Sequence, residues 1–311
     1  MRQHKVLGIW LVTLTLQAGL LAMALPLEVS KAEASPGTIY VPDDYPTIQA
    51  AVDASSSWDT SIFRDGTYTE NVDVNKAHLT IQSKNGADST IVEAANSHDH
   101  VFEVTADHVN ISGFTVKGTT KTGIYLYYAD SCNISDNICS NNGYGIYLWS
   151  SNNNSISDNR CLKNWEGIYI LYSNNNTLTG NIMAENGIII WGFSINAYTH
   201  EIDESNTVNA KPVYYWKDVV GGRIPDSAGQ VILVNCQNVL VENQNLNDAS
   251  VGIEVAFSSY VTIRNNNCSS HNFQGIHLDY SNNNSIFENI CSNNGIGIKL
   301  YHSNSNSIYE N

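Results

Sequence analysis

One apolar position recurs every 22 or 23 residues along this chain: Ile111, Ile134, Ile156 and Leu178, then after an interruption Val241, Ile263, Ile286 and Ile308. Three residues later stands asparagine, at Asn137, Asn159, Asn181, Asn266, Asn289 and Asn311, with Phe114 and Gln244 as exceptions. Five residues later come Val116, Cys139, Cys161, Met183, Leu246, Cys268 and Cys291. A second asparagine column follows at Asn142, Asn164, Asn186, Asn272 and Asn294, and each repeat closes on a Gly-Ile pair, from Gly123-Ile124 to Gly297-Ile298. A fixed period of this size belongs to units that cannot bury an apolar face alone and must stack on one another.

Within a repeat the hydrophobic pattern alternates over short runs such as Ile146-Tyr147-Leu148 and never takes the helical period, so the units are strands. Asparagine and glycine are read as the corners, since both tolerate left-handed backbone. Three short strands per turn, stacked at ~4.8 Å per rung, make a parallel β-helix in which identical residues lie above one another. The Asn137, Asn159, Asn181, Asn266 and Asn289 column then becomes a side-chain ladder. Residues 38–41 read as a strand and 45–54 as a short amphipathic helix, which together suit an N-terminal cap. Less regular strands follow at 62–63, 71–74, 79–82, 90–92, 101–104 and 109–112. Residues 191–237 break the period and read as a longer rung with a protruding loop. Residues 35–311 are thus one all-β solenoid domain.

The strings Tyr45-Pro46-Thr47-Ile48-Gln49-Ala50-Ala51-Val52 and Asp65-Gly66-Thr67-Tyr68-Thr69-Glu70-Asn71-Val72, followed by the asparagine ladder, resemble the NosD-type right-handed parallel β-helix family. The likeness continues through residues 206–215 and 230–236, so it covers nearly all of 38–311. It implies a pectin-lyase-like fold and its right hand, a carbohydrate-binding or sugar-hydrolase role, and the setting of an archaeal surface or secreted protein. Ala210 stands where the family usually has glycine, and Trp58-Asp59-Thr60-Ser61 is a weak form of the usual strand entry. Fold does not fix function.

Only 14% of the 311 residues are charged, with 30 acidic against 15 basic, for a net charge of -15. That balance excludes nucleic acid as a partner, because phosphate binding needs clustered Lys and Arg. It also disfavours polyanionic glycans unless a divalent cation such as calcium, or a local basic patch, intervenes. Residues 1–34 read as an export signal: Arg2 and Lys5, an apolar run at 6–25, and Ala32-Glu33-Ala34 before Ser35. Uncleaved, the run is long enough to serve as an anchor. The expected location is extracellular or at the cell surface.

On the Gly-Ile strand, alternation turns Tyr125, Tyr147, Tyr169, Ile189, Glu254, His277 and Lys299 outward, with Tyr127, Trp149, Leu171, Ala256, Asp279 and Tyr301 as the neighbouring column. Tyr125, Tyr147, Trp149 and Tyr169 are candidates for stacking on sugar rings, although aromatic residues also favour exposed β-ladders for their own sake. Glu254, His277 and Asp279 form the candidate catalytic group, roughly 5–7 Å apart by strand spacing. Two carboxylates and an imidazole suit glycoside hydrolysis or proton abstraction; mixed charges on neighbouring rungs equally suit a solvated ladder. No Arg and Lys pair stands on that face to neutralise a uronate, and Arg264 comes nearest.

The resemblance carries a copper label, yet His98-Asp99-His100, with His78 and His108 nearby, is read as surface histidine on a rung, and no metal site is assigned. Cys139, Cys161, Cys268 and Cys291 share one inward column, as small hydrophobes or as Cys139-Cys161 and Cys268-Cys291 pairs. Six Asn-x-Ser/Thr sequons begin at Asn110, Asn133, Asn153, Asn175, Asn267 and Asn283. Residues 307–311 open a further repeat, so the C-terminal end is expected to continue into more repeats or to be covered by another chain. The first functional expectation is a non-catalytic glycan-binding or envelope-structural module. The alternatives are a polysaccharide-acting hydrolase, lyase or epimerase on the outward sheet, and a copper-handling accessory protein.

Overall fold

The structure is a computed structural model and describes residues 35–311; the export segment read at 1–34 lies outside the described residues. The chain enters on strand Thr38–Val41 and helix Ile48–Ala54, whose buried face is Ile48, Ala51 and Val52. The helix starts later than the 45–54 reading because Thr47 is its N-cap, accepting from the Ala50 N–H at 3.1 Å. Two further free donors, the Ile48 and Gln49 N–H groups, are taken by the Glu70 carboxylate at 2.9 and 3.0 Å.

Rungs then stack as parallel strands. An eight-stranded sheet runs from Thr38–Val41 to Glu201–Ile202, and a six-stranded sheet from Val72–Val74 to Ile188–Trp191. A third face runs from Gly66–Thr69 to Thr207–Val208. Register preserves the repeat, with Ile124, Ile146, Ile168 and Ile188 in line. The signature glycines serve space: a Cβ on Gly145 would lie 2.6 Å from the Gly167 carbonyl oxygen and 2.9 Å from Cys161 Sγ.

The asparagine ladder forms as expected and is fully buried at Asn137, Asn159 and Asn181. Asn159 shows its chemistry. Its Nδ2 donates to the Ile134 carbonyl at 2.8 Å and to Asn181 Oδ1 at 3.1 Å, while its Oδ1 accepts from both nitrogens of Asn137 at 3.1 Å. The left-handed corner is not the asparagine itself but the residue before it, such as Asp136, Asp158 and Gly180. Phe114 and Gln244, exceptions in the column, sit where each ladder begins: their N–H groups donate to Asn137 and Asn266, with no earlier asparagine to serve. In the second column His271, not Asn272, occupies the ladder position, donating to Asn294 Oδ1 and accepting from the Ala249 N–H. All six cysteines are free thiols, and Cys139 and Cys161 stand in direct register inside the core. Cys132 and Cys236 head side ladders through Asn154 and Ser258.

The interruption does more than lengthen a rung. After the 3-10 turn Ile195–Tyr198, the chain pairs Thr207–Val208 antiparallel with Lys211–Lys217 across a two-residue turn. Asn209 and Ala210 are both left-handed there, with φ of 52° and 62°, as such hairpins require. A second parallel stack follows: Lys211–Lys217, Gln230–Val234, Val251–Ala256, Gln274–Asp279 and Ile296–Tyr301. Its lead sheet has two apolar faces. Val231, Leu233, Ile253 and Val255 line the second stack's core, whereas Val213, Ile232, Val234 and Ala256 pack into the end of the first. The outward columns of the two stacks are therefore not one continuous face.

Two outcomes follow from these contacts. Asn159→Ala orphans the Asn137 N–H and the Ile134 carbonyl inside the core and lowers stability by about 2–4 kcal/mol in urea unfolding. Ala210→Gly relieves a left-handed alanine and raises stability by about 1 kcal/mol in the same assay.

Candidate functional site

Alternation along the six-stranded sheet places Asp73, Glu103, Tyr125, Tyr147, Tyr169 and Ile189 in one outward register column. The tyrosines stack as a ladder, with ring centroids 5.1 Å apart for Tyr125 and Tyr147 and 4.9 Å for Tyr147 and Tyr169. Trp149 lies beside Tyr147 at 6.1 Å. The four aromatic residues singled out from sequence are thus brought together, although Tyr125 is buried beneath the His100 ring, stacked on it at 4.3 Å. Burial pushes the phenols of Tyr125, Tyr147 and Tyr169 up, so they remain protonated donors.

At Tyr169 the ladder runs into the junction of the two stacks. A cleft of about 220 Å³ is lined there by Tyr169, Ile189 and Trp191 of the first stack and by Phe273, His277 and Lys299 of the second. An adjoining hollow of about 100 Å³ adds Tyr144, Trp165 and Glu166. The Lys299 ammonium stands 5.4 Å over the Phe273 ring.

Glu166 was not among the sequence candidates. It precedes the Gly-Ile pair and follows Thr122 and Tyr144 in register; the signal that finds it is a carboxylate in an otherwise uncharged column. It is 5% exposed, burial pushes its carboxyl up to about 7, and its Oε2 has no hydrogen-bond partner among the described residues. A carboxyl of that kind is a proton donor near neutrality.

Glu254, His277 and Asp279 do point away from their own core, with Glu254 opposite His277 and Asp279 two residues further along the same strand as His277. They are not solvated, because the end of the first stack covers them: all three are buried. The covering strand Ile188–Trp191 presents an open edge, and the second stack closes it with side chains. Ser250 Oγ accepts from the Gly187 N–H at 2.9 Å, Gln230 Oε1 from Ile188 at 2.9 Å, and Glu254 Oε2 from Ile190 at 3.4 Å. Asp279 accepts from the Tyr198 hydroxyl. Burial raises both carboxyls, Glu254 well above the usual range, with the Ile190 and Tyr198 hydrogen bonds opposing. Burial, aided by Lys299, lowers His277 to about 3 and leaves it neutral, with Nε2 free of a partner among the described residues. Of the three, His277 lines the cleft.

The remaining histidines do not converge. His98 and Asp99 lie in an exposed turn rather than on a strand, and the His78 and His108 rings stack face to face at 4.5 Å. Arg264 is held by Glu242 at 2.8 Å, far along a different sheet.

A family model described as periplasmic copper-binding protein (NosD) matches residues 52–211 and 204–311. No curated protein matches the chain. Among solved structures, the catalytic unit of a thermostable α-1,3-glucanase from Streptomyces thermodiastaticus is 13% identical, with a TM-score of 0.50 over 88% of this chain and 65% of that one. The Dettilon tailspike protein is 14% identical at a TM-score of 0.46, and this chain, 81% covered, spans 54% of its length. An alginate lyase from Paenibacillus is 16% identical at 0.42, with 88% and 98% covered. These likenesses concern the fold. Copper finds no fitting donor set: no group of three His, Cys, Asp or Glu side chains is placed to hold a metal ion among the described residues, and Met183 is sealed in the core. With the family model running from the end of the cap helix through both ladders and the hairpin between them, the chain belongs to the NosD family of parallel β-helix proteins.

Proposed function

We propose that this protein is exported and acts on a polysaccharide, holding the glycan along the Tyr147 and Tyr169 part of the ladder and reacting with it in the junction cleft. The observation that carries the reading is the continuity of an aromatic platform with a cleft whose one lining carboxyl, Glu166, is held protonated near neutral pH. Aromatic faces bury the apolar faces of sugar rings. Glu166 then donates a proton to the leaving glycosidic oxygen, neutral His277 accepts a hydrogen bond from a sugar hydroxyl or water, and Lys299 offsets negative charge that develops beside them. The family's periplasmic description and the apolar run at residues 6–25 support export.

One observation favours a second reading, a glycan-binding module without turnover: Glu254 and Asp279 are sealed under the first stack rather than facing the cleft. Assay of product release across a polysaccharide panel decides between the two. Under the first reading Glu166→Gln lowers turnover by about 10²–10⁴-fold and leaves binding intact, whereas Tyr147→Ala weakens binding by about tenfold. Absence of turnover on every substrate that binds sinks it in favour of the second.

Glu166 also marks the stability profile. Its carboxyl titrates near 4.5 when unfolded and near 7 when folded, so the native state binds the extra proton between those values and its contribution is lost as pH rises through them. Glu166→Gln therefore matches the parent below pH 4.5 and exceeds its stability above pH 7, by up to about 3 kcal/mol in denaturant titrations.

A further inference from the structure

On the other side of Trp165 the seam between the stacks opens into a larger groove of about 420 Å³, bordered by Lys163, Glu185, Asp248 and Asn272. A further hollow of about 210 Å³ continues it past Lys211 and Asn245, sharing Glu185 and Asp248. Trp165 is common to this groove and to the hollow beside Glu166. Trp165 is 63% exposed, yet its backbone is fastened from both stacks. The Trp165 N–H donates to the Asn142 carbonyl at 3.2 Å, and its carbonyl accepts from Asn272 Nδ2 at 2.7 Å. A large apolar ring held bare on a fixed backbone, between a catalytic hollow and a polar groove, is placed as a stacking platform for something that crosses it.

The groove itself describes its occupant. Amide and hydroxyl side chains line it, offering donors and acceptors in mixture, as sugar hydroxyls require. Its charges cancel, with Lys163 and Lys211 set against Glu185 and Asp248. Lys211 also spends a hydrogen bond on the Asn245 carbonyl at 3.0 Å. No net positive field draws a polyanion here, and the chain's net charge of -15 opposes one.

We propose that the seam groove is a second run of sugar subsites and that one neutral polysaccharide chain passes over the Trp165 ring, from the Glu166 cleft into the groove. This rests on the reading that the cleft binds glycan. It adds the path, the length and the charge class of the substrate.

The test is calorimetric titration of the purified protein with neutral gluco- and manno-oligosaccharides from di- to octasaccharide, and with oligogalacturonates of the same lengths. The expected result is affinity that keeps rising with length for a neutral series, by about tenfold between the shortest binder and the longest. Trp165→Ala abolishes that gain, costing long oligosaccharides more affinity than short ones. Glu185→Gln together with Asp248→Asn lets the galacturonates gain affinity. A plateau at short lengths, equal loss for short and long ligands in Trp165→Ala, or tighter binding of galacturonates by the parent protein overturns the proposal while the cleft still binds glycan. Failure of every oligosaccharide to bind overturns the cleft reading and this proposal together.

Discussion

Everything in this molecule depends on buried side-chain amides that bond the backbone of one rung to the next. A chain that turns three times in about 22 residues leaves carbonyls and N–H groups facing inward at each corner, and burying them unpaired costs more than the rung gains. Asn137, Asn159 and Asn181 answer this with a side-chain oxygen that accepts from the rung before and a nitrogen that donates to the rung after, the last of them to Asn206. Asparagine also explains how so few charges suffice, since polar demand is met inside the solenoid as well as on its surface. The same device sets a strict rule. Each amide needs a rung on both sides, so a ladder must have ends, and those ends are where the sequence changes.

The end of the first stack shows what such a rule produces. Strand Ile188–Trp191 would expose its free N–H groups, a template for unwanted pairing. The chain reverses at Asn209-Ala210 and lays a new sheet over the opening, with apolar side chains for the core and Ser250, Gln230 and Glu254 for the edge. Sealing one stack with the flank of another leaves mismatched margins. The cleft and the seam groove are those margins. Residues before the Gly-Ile pair meet there from both stacks, Trp165 and Glu166 facing Phe273, so the site arises from closing the fold rather than from a loop added to it.

The rungs, the core columns, the N-terminal helix and the tyrosine ladder were legible because each repeats or is capped locally. Three things were not. The reversal at Asn209-Ala210 is a two-residue event, and the columns resume after it as if the stack had continued. The outward direction of Glu254, His277 and Asp279 follows from alternation, but their burial comes from a sheet edge separated from Glu254 by about 64 residues in sequence, which no local pattern reveals. Glu166 drew no reading from the sequence, since its surroundings become apolar through the approach of Phe273 and Ile189. His271 illustrates the same limit in miniature: it replaces asparagine by offering one ring nitrogen to the Ala249 N–H, while the adjacent Asn272, which looks like the ladder residue, reaches across to Trp165.

Closing a stack with polar side chains has an energetic consequence that bears on chemistry. Glu254 and Asp279 cap backbone and hydroxyl donors, and burial at the junction raises both carboxyls and lowers His277 to about 3. In a poorly solvated setting the Lys299 ammonium acts over a longer range than it does in water, opposing the rise at both carboxyls and adding to the fall at His277. At Glu166 burial raises the carboxyl to about 7 and a hydrogen bond from Ser250, the same side chain that closes the edge at Gly187, opposes the rise. The ladder's need for a sealed end thus also tunes the one acid that faces the cleft.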